Sequence, residues 1–298
     1  MTRPAHIPVL IEEVMTLLEI SRPGLYIDAT VGLGGHAAAL LERNPEAGLI
    51  GLDRDENALE RAREALSPYS ERAVLYHSDF RHLPDLDIDL SRVRGVLFDL
   101  GVSSLQLDDP ERGFSFNREG PLDMRMDRRG KTTAARILNK LSEPRLADAL
   151  HRYGELRQAR KLARAIVSRR KLKPIESTRQ LFVIVEEVCR WRPQTGKTHP
   201  AARVFQALRI LVNQELEGLD SFLIDWIPSL PAGARVAAIS FHSLEDRIIK
   251  HVFAGLASPE NGPAALSLLT RKPIMASPEE TAKNFRSRSA KLRGAVRI

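Results

Sequence analysis

Four short apolar runs, Leu25 to Ala29, Leu49 to Leu52, Ala73 to Tyr76 and Gly95 to Leu100, alternate with helix-patterned segments over the first hundred residues. Runs of this length read as strands, whereas His36 to Arg43 and Glu56 to Leu66 repeat their apolar residues every three or four positions, as helices do. Such alternation builds a parallel α/β sheet, because each crossover helix returns the chain to the same end of the next strand.

The rhythm stops after Leu100. From about Ser142 to Trp226 the spacing predicts only helices: Glu143 to Arg152, Glu155 to Lys171, Thr178 to Trp191, and Pro200 to Trp226 in two pieces around Gly218. In the second of these, Leu156, Ala159, Leu162, Ala163, Ile166 and Val167 share one face and the arginines take the other. A strand pattern returns at Ala234 to Ser240, followed by a helix from Leu244 to about Phe253, a Pro/Gly/Ser-rich loop near Ser258 to Gly262 and a final apolar-basic segment. The expected architecture is an α/β sheet domain made of residues 1–108 and 227–298. An all-helical domain, residues 109–226, is inserted between its fourth and fifth strands.

Apolar stretches such as Leu181 to Val185 fall far short of the ~20 residues needed to cross a bilayer. Residues 1–20 carry proline and a pair of acids where a secretion signal has its apolar core, so a cytoplasmic protein away from membranes is expected. Cys189 is the single cysteine, which excludes an internal disulfide and a Cys-rich zinc site. His, Asp and Glu show no ligand spacing, and no metal is expected. The charge of +7 is unevenly spread. Residues 1–111 carry a net −10, residues 112–173 a net +12, and the last eighteen, with Lys283, Arg286, Arg288, Lys291, Arg293 and Arg297 and no acid, a net +6. Two basic segments on an otherwise acidic chain suit a nucleic-acid backbone, although any one arginine among them serves equally as a solvated helix face.

The segment from Tyr26 through Asp28, Gly32, Gly34 and Gly35 to His36 runs from a strand through a glycine turn into a helix, where the chain must turn sharply and let a ligand near the backbone. Asp53 ends the second strand, where a carboxylate can accept both ribose hydroxyls of an adenosine. These residues indicate a nucleoside cofactor. Gly32, Gly34 and Ala37 also satisfy a relaxed dinucleotide pattern, so a nicotinamide-dependent oxidoreductase stays open beside a methyltransferase. The acidic character of this half suits the cationic sulfonium of S-adenosylmethionine better than a pyrophosphate. Asp79 and Phe80 add a polar side chain and an aromatic face where an adenine would lie.

Asp99 ends the fourth strand, and carboxyl ends of strands are where open sheets place reacting groups. It can also cap the following turn. Phe114 and Phe116, beside Arg112 and Arg118, can hold an extruded base, although their apolar alternation argues for core packing. Ser243 with Asp246 three residues on reads as a helix cap, leaving His242 and Arg247 as contacts to a nucleotide or its phosphate. His199 begins a helix and reads as a packing residue.

With these residues in view, the chain resembles the ribosomal small-subunit methyltransferase H family, also called MraW. The resemblance rests on His6 to Leu10, Gly34-Gly35-His36, Leu100 to Ser104, Arg112 to Phe116, Gly120 to Met126, His199 to Val212, Phe241 to Arg247 and Arg288 to Arg293, and spans essentially the whole length. It implies a Rossmann-like S-adenosylmethionine-dependent methyltransferase that methylates cytosine N4 in 16S rRNA, at cytosine 1402. It implies cofactor contacts at Gly34, Gly35, His36, Asp53, Phe80, Asp99 and Gln106, a helical insertion that helps bind substrate, and action on an assembled or nearly assembled 30S subunit. A homo-oligomer is compatible with it. Leu105, Arg128 and Phe285 stand where the family often has proline, and the first bears on the loop presenting Gln106. A third reading is a non-catalytic RNA-binding or assembly factor that keeps the fold.

Methylation at C5 of a pyrimidine requires a transient thiolate adduct, and Cys189, in an amphipathic helical run, does not qualify. An exocyclic amine needs no adduct but must have its delocalised lone pair localised, which acceptors at its hydrogens achieve; Asp99 is the candidate. The Asp/Asn-Pro-Pro-aromatic tetrapeptide of many amino-methyltransferases is absent, and Asp99-Leu100-Gly101-Val102 takes its place.

Overall fold

The computed structural model describes residues 8–193, 198–260 and 262–298. His6 and Ile7 of the first family motif and Asn261 of the expected loop lie outside them. Two compact units result, Met1–Gly101 with Leu216–Ile298, and Val102–Glu215 between them. The sequence boundaries at 108/109 and 226/227 differ from these. Residues 219–226 fold with the sheet unit because Phe222, Leu223 and Trp226 bury themselves in its core, against Phe98 and Val96.

In the sheet unit the parallel strands are β1 (Gly24–Asp28), β2 (Ala47–Asp53), β3 (Ala73–His77), β4 (Val93–Asp99) and β5 (Arg235–Ser240), each within two residues of its expected start. Three further strands, β6 (Leu266–Leu268), β7 (Ile274–Met275) and β8 (Lys291–Arg297), were not legible in the final apolar-basic segment. The order is β3-β2-β1-β4-β5-β8-β6, with β7 also on β8. Strands β1 to β5 pair in parallel, while β8 runs antiparallel to β5 and places Lys291 opposite Ser240. Strand β8 thus lies between β5 on one edge and, on the other, β6 and β7, which pair with its two ends.

Strand parity decides which helices cover which face. Ile27, Ile50, Val96, Phe98, Val236 and Ala238 point to one face, against α10 (Leu219–Trp226) and α11 (Ser243–Ala257). Tyr26, Leu49, Leu97, Ala237 and Ile239 point to the other, against α1 (Ile11–Leu18), α2 (Gly35–Arg43) and α3 (Glu56–Ala65). A strand buried on both faces must be apolar throughout, which is why these runs stand out in the sequence. A short helix α12 (Pro278–Lys283) precedes β8.

The inserted unit holds α4 (Ser104–Asp108), α5 (Ala134–Lys140), α6 (Glu143–Arg152), α7 (Ala159–Leu172), α8 (Thr178–Cys189) and α9 (Pro200–Asn213). Helix α7 begins four residues later than the spacing suggests. Glu155 takes a left-handed φ of 49°, and a side chain on Gly154 would meet the carbonyls of Leu150 and Arg203, so a turn separates α6 from α7. Asn213 ties the insert together: its Oδ1 accepts from the Met126 N–H at 2.7 Å and its amide donates to the Met124 carbonyl at 2.8 Å.

Candidate active site

Three aspartates end three parallel strands of the sheet unit: Asp28 on β1, Asp53 on β2 and Asp99 on β4. Asp28 is buried, with Oδ1 3.3 Å from the Thr30 N–H. Burial, with the nearby Asp53 charge, pushes its carboxyl up to about 7. No role for Asp28 is legible in the sequence. Its signal was an acid at the end of an otherwise apolar strand, just before a glycine turn.

Asp53 is held by the turn it faces. Its Oδ2 accepts from the Gly32 N–H at 2.9 Å and its Oδ1 from the Asp55 N–H at 2.8 Å. Burial pushes its carboxyl up to about 6 against these two hydrogen bonds. The glycines divide by what surrounds them. Gly34 has φ +82° and faces Ala62 at 3.3 Å, while a Cβ on Gly35 would lie 2.5 Å from the Pro8 ring. These two absences therefore serve the packing of α2 on its neighbours. Gly32, with φ +53° and only the Thr30 carbonyl within 4 Å, is the one that borders open space.

Asp99 is part-buried, its backbone N–H donates to Thr30 Oγ1 at 2.7 Å, and its Oδ2 lies 3.6 Å from His36 Nδ1. Its Oδ1 is cut off from solvent without a hydrogen-bond partner among the described residues. Burial first, then the charges of Asp28 and Glu245, raise its carboxyl well above the ordinary aspartate range. The His36 ring is buried, with Nε2 2.9 Å from the Val9 carbonyl, so that nitrogen carries the proton and donates. Asp99 does not cap the turn after β4, where Gly101 has φ +108° and its missing Cβ leaves room for the Phe241 ring.

Asp79 is not free to meet an adenine. Arg81 binds it through Nε and a terminal nitrogen at 2.8 Å each, and Arg54 lies 3.5 Å away, which together hold its carboxyl below the usual range despite burial. Phe80 packs edge-on to Phe98 at 5.6 Å and beside Phe222 at 5.4 Å.

The expected cap of the helix after β5 is corrected. His242, not Ser243, is the N-cap: its Nδ1 accepts from the Glu245 N–H, and Glu245 Oε2 accepts from the Phe241 and His242 N–H groups. Its Nε2 is buried 3.1 Å from Glu245 Oε1 and makes no hydrogen bond among the described residues. Asp246 instead pairs with Arg293 at 2.7 Å and Lys291 at 3.1 Å, tying α11 to β8. Arg247 is exposed.

Within the inserted unit, Gln106 is buried as the third residue of a capping box, its Oε1 accepting from the Ser103 N–H at 3.0 Å. Arg112 is 1% exposed and donates to the carbonyls of Arg125 and Met126, so it clasps a loop and does not present its charge to solvent. Phe114 is buried in the same core. Phe116 is part-buried and stacks on Phe182 and His199, with ring centroids 6.0 and 5.5 Å away. His199 caps α9 through Nδ1. Arg118 is exposed beside Asp108.

The chain matches the model of the MraW methylase family over residues 3–298. It is 50% identical to the ribosomal RNA small subunit methyltransferase H of Cyanothece sp., covering 98% of this chain and 95% of that one. With the protein of the same name from Desulfotalea psychrophila the identity is 47%, over 98% of both chains. Among solved structures, an rRNA methylase from Streptococcus thermophilus aligns with a TM-score of 0.39 and 11% identity, over 100% of this chain and 98% of that one. Among the described residues no helix is long and apolar enough to cross a membrane. Matched from end to end by the family model and by relatives near half identity, the chain belongs to the MraW methylase family.

Proposed function

We propose that this chain uses S-adenosylmethionine to methylate the exocyclic N4 of a cytosine in 16S rRNA, cytosine 1402 by the family resemblance, on the 30S particle in the cytoplasm. Asp99 carries the reading, as a part-buried carboxylate at the end of a central strand with one oxygen lacking a partner among the described residues.

The residues fit the donor. Three carboxylates at neighbouring strand ends attract a sulfonium and an ammonium and repel a pyrophosphate, which disfavours the nicotinamide alternative. Each Asp53 oxygen accepts one backbone N–H, and a carboxylate has about four acceptor sites, so room remains for ribose hydroxyls. Gly34, Gly35 and His36 offer the first turn of α2, and Phe80 and Gln106 complete the implied set. The bound donor supplies an electrophilic methyl group on a positively charged sulfur.

Asp99 Oδ1 accepts a hydrogen bond from the N4 amine, localises its lone pair, and takes the proton that N4 sheds as the new N–C bond forms. His36, held by Val9, keeps the Asp99 carboxyl oriented through Oδ2. The base has to leave its stack to meet Asp99, which favours single-stranded or splayed RNA. The inserted unit, with the +12 segment and exposed Arg118, supplies backbone contacts, and Arg247 adds one from α11. Cys189 is part-buried in that unit with its thiol pushed up by burial, unsuited to the thiolate that C5 chemistry needs.

Tritiated methyl transfer to 30S particles and to naked 16S rRNA, followed by mapping of the product, tests the proposal. Label on a cytosine N4 supports it. Tight NAD binding with no affinity for S-adenosylmethionine, or RNA binding with no transfer, overturns it in favour of the oxidoreductase or the assembly factor.

A further inference from the structure

Phe285 is 70% exposed, unusual for a large aromatic in a folded unit. It opens a short 3-10 turn, Phe285–Ser289, between α12 and β8. The guanidinium of Arg288 lies 4.7 Å from its ring centroid, which fixes the ring by a cation–π contact while leaving most of its surface bare. Lys283, Arg286 and Arg288 are all exposed on this segment, and the last eighteen residues hold no acid. An aromatic face flanked by cations is the pairing that single-stranded nucleic acid recognises, since bases stack on the ring while phosphates meet the charges.

Its place in the sheet gives the patch a role. Because Ser240 ends β5 and pairs with Lys291, the first residue of β8, the turn leading into β8 arrives at the same rim of the sheet as Asp99. Two strand spacings separate β4 from β8, and at about 4.8 Å each Lys291 enters roughly 10 Å from the end of β4. That span is at most about three nucleotides of chain at ~3.4 Å of rise per base or more. We infer that Phe285, braced by Arg288, is a stacking platform for an unpaired rRNA base flanking the target nucleotide, with Lys283 and Arg286 on the adjacent phosphates. This rests on the rRNA-methylating reading above.

Two measurements on the full chain test it. In the first, methyl transfer to 30S particles is compared for wild type, Phe285→Ala and Phe285→Trp. Loss of one base–aromatic stack raises KM for 30S by about tenfold with kcat unchanged, and Phe285→Trp restores it. Calorimetric affinity for S-adenosylmethionine is unchanged in all three. In the second, the fluorescence of Phe285→Trp, corrected with wild type for Trp191 and Trp226, is followed on adding a single-stranded 16S rRNA oligonucleotide around the target. Quenching of the introduced indole is expected. An unaltered KM in Phe285→Ala, or an indole unquenched by saturating RNA, overturns the platform. The quenching arm needs no turnover, so if wild type methylates no rRNA the functional reading falls while the platform is still decided.

Discussion

His36 Nδ1 faces Asp99 Oδ2 at 3.6 Å while the opposite ring nitrogen donates to the Val9 carbonyl at 2.9 Å. The ring is thereby fixed with its Nδ1 edge toward the carboxyl group. Asp99→Asn removes the acceptor of the N4 proton and is expected to lower kcat at least ~100-fold, the lower range for a positioned general base, with the fold intact by circular dichroism. Near-normal transfer by that variant sinks the role, and calorimetry with S-adenosylmethionine separates it from a binding defect.

The pH dependence of catalysis follows from the same group. Burial and the Asp28 and Glu245 charges raise the Asp99 carboxyl, and only the ionised form accepts a proton. Wild-type kcat/KM therefore rises with pH above the ordinary aspartate range and levels off once Asp99 is ionised. A pH–rate profile that falls over this range contradicts it.

Asp28 makes the folded state sensitive to pH in the opposite direction from a salt-bridged acid. Its carboxyl stands at about 7 in the folded chain against 3.8 unfolded. Between those values the folded state holds a proton that the unfolded state has lost, so stability falls as pH rises and is flat above about 7. The loss is roughly 4 kcal/mol for about three units at ~1.4 kcal/mol each. Asp28→Asn abolishes this component, so urea titrations from pH 4 to 8 should show the variant gaining on wild type as pH rises.

Arg112, proposed from the sequence as an RNA contact, is a fastener of the insert. Arg112→Ala removes charge-assisted bonds to two carbonyls, each worth about 1.5–3 kcal/mol, and denaturant unfolding should show a loss of at least ~2 kcal/mol. A variant with unchanged stability and weakened 30S binding would return Arg112 to the substrate surface.

Gly34 carries a left-handed φ of +82° at the N-cap of α2. Gly34→Ala is expected to cost about 1–2 kcal/mol from the backbone alone, read as a lowered Tm. Its Cβ meets Ala62 at 3.3 Å, so the helix pair must also shift slightly.

The parallel half of the sheet was legible because strands buried on both faces must be apolar, and β1, β2, β4 and β5 announce themselves in that way. Asp53 and Asp99 were legible because they interrupt such runs at the carboxyl end. The caps were less so: Ser243 with Asp246 has the form of a cap, yet an imidazole nitrogen accepts as well as a hydroxyl does, and His242 took the position one residue earlier. Strands β6 and β7 are only three and two residues long and pair with β8, while the seven residues of β8 are interleaved with arginine and find their partner in β5, distant in sequence. Arg112 looked like a surface charge because burial of an arginine depends on carbonyls that only the folded loop supplies.

Placing β8 between β5 and the short strands β6 and β7 dictates an order of assembly. Residues 102–215 are contiguous and can collapse while the chain is still being made, whereas β5 keeps a bare hydrogen-bonding edge until residues 291–297 emerge from the ribosome. The nascent protein thus carries a sticky strand until β8 has been made. Shortening it by those residues should yield aggregates and not a smaller soluble molecule.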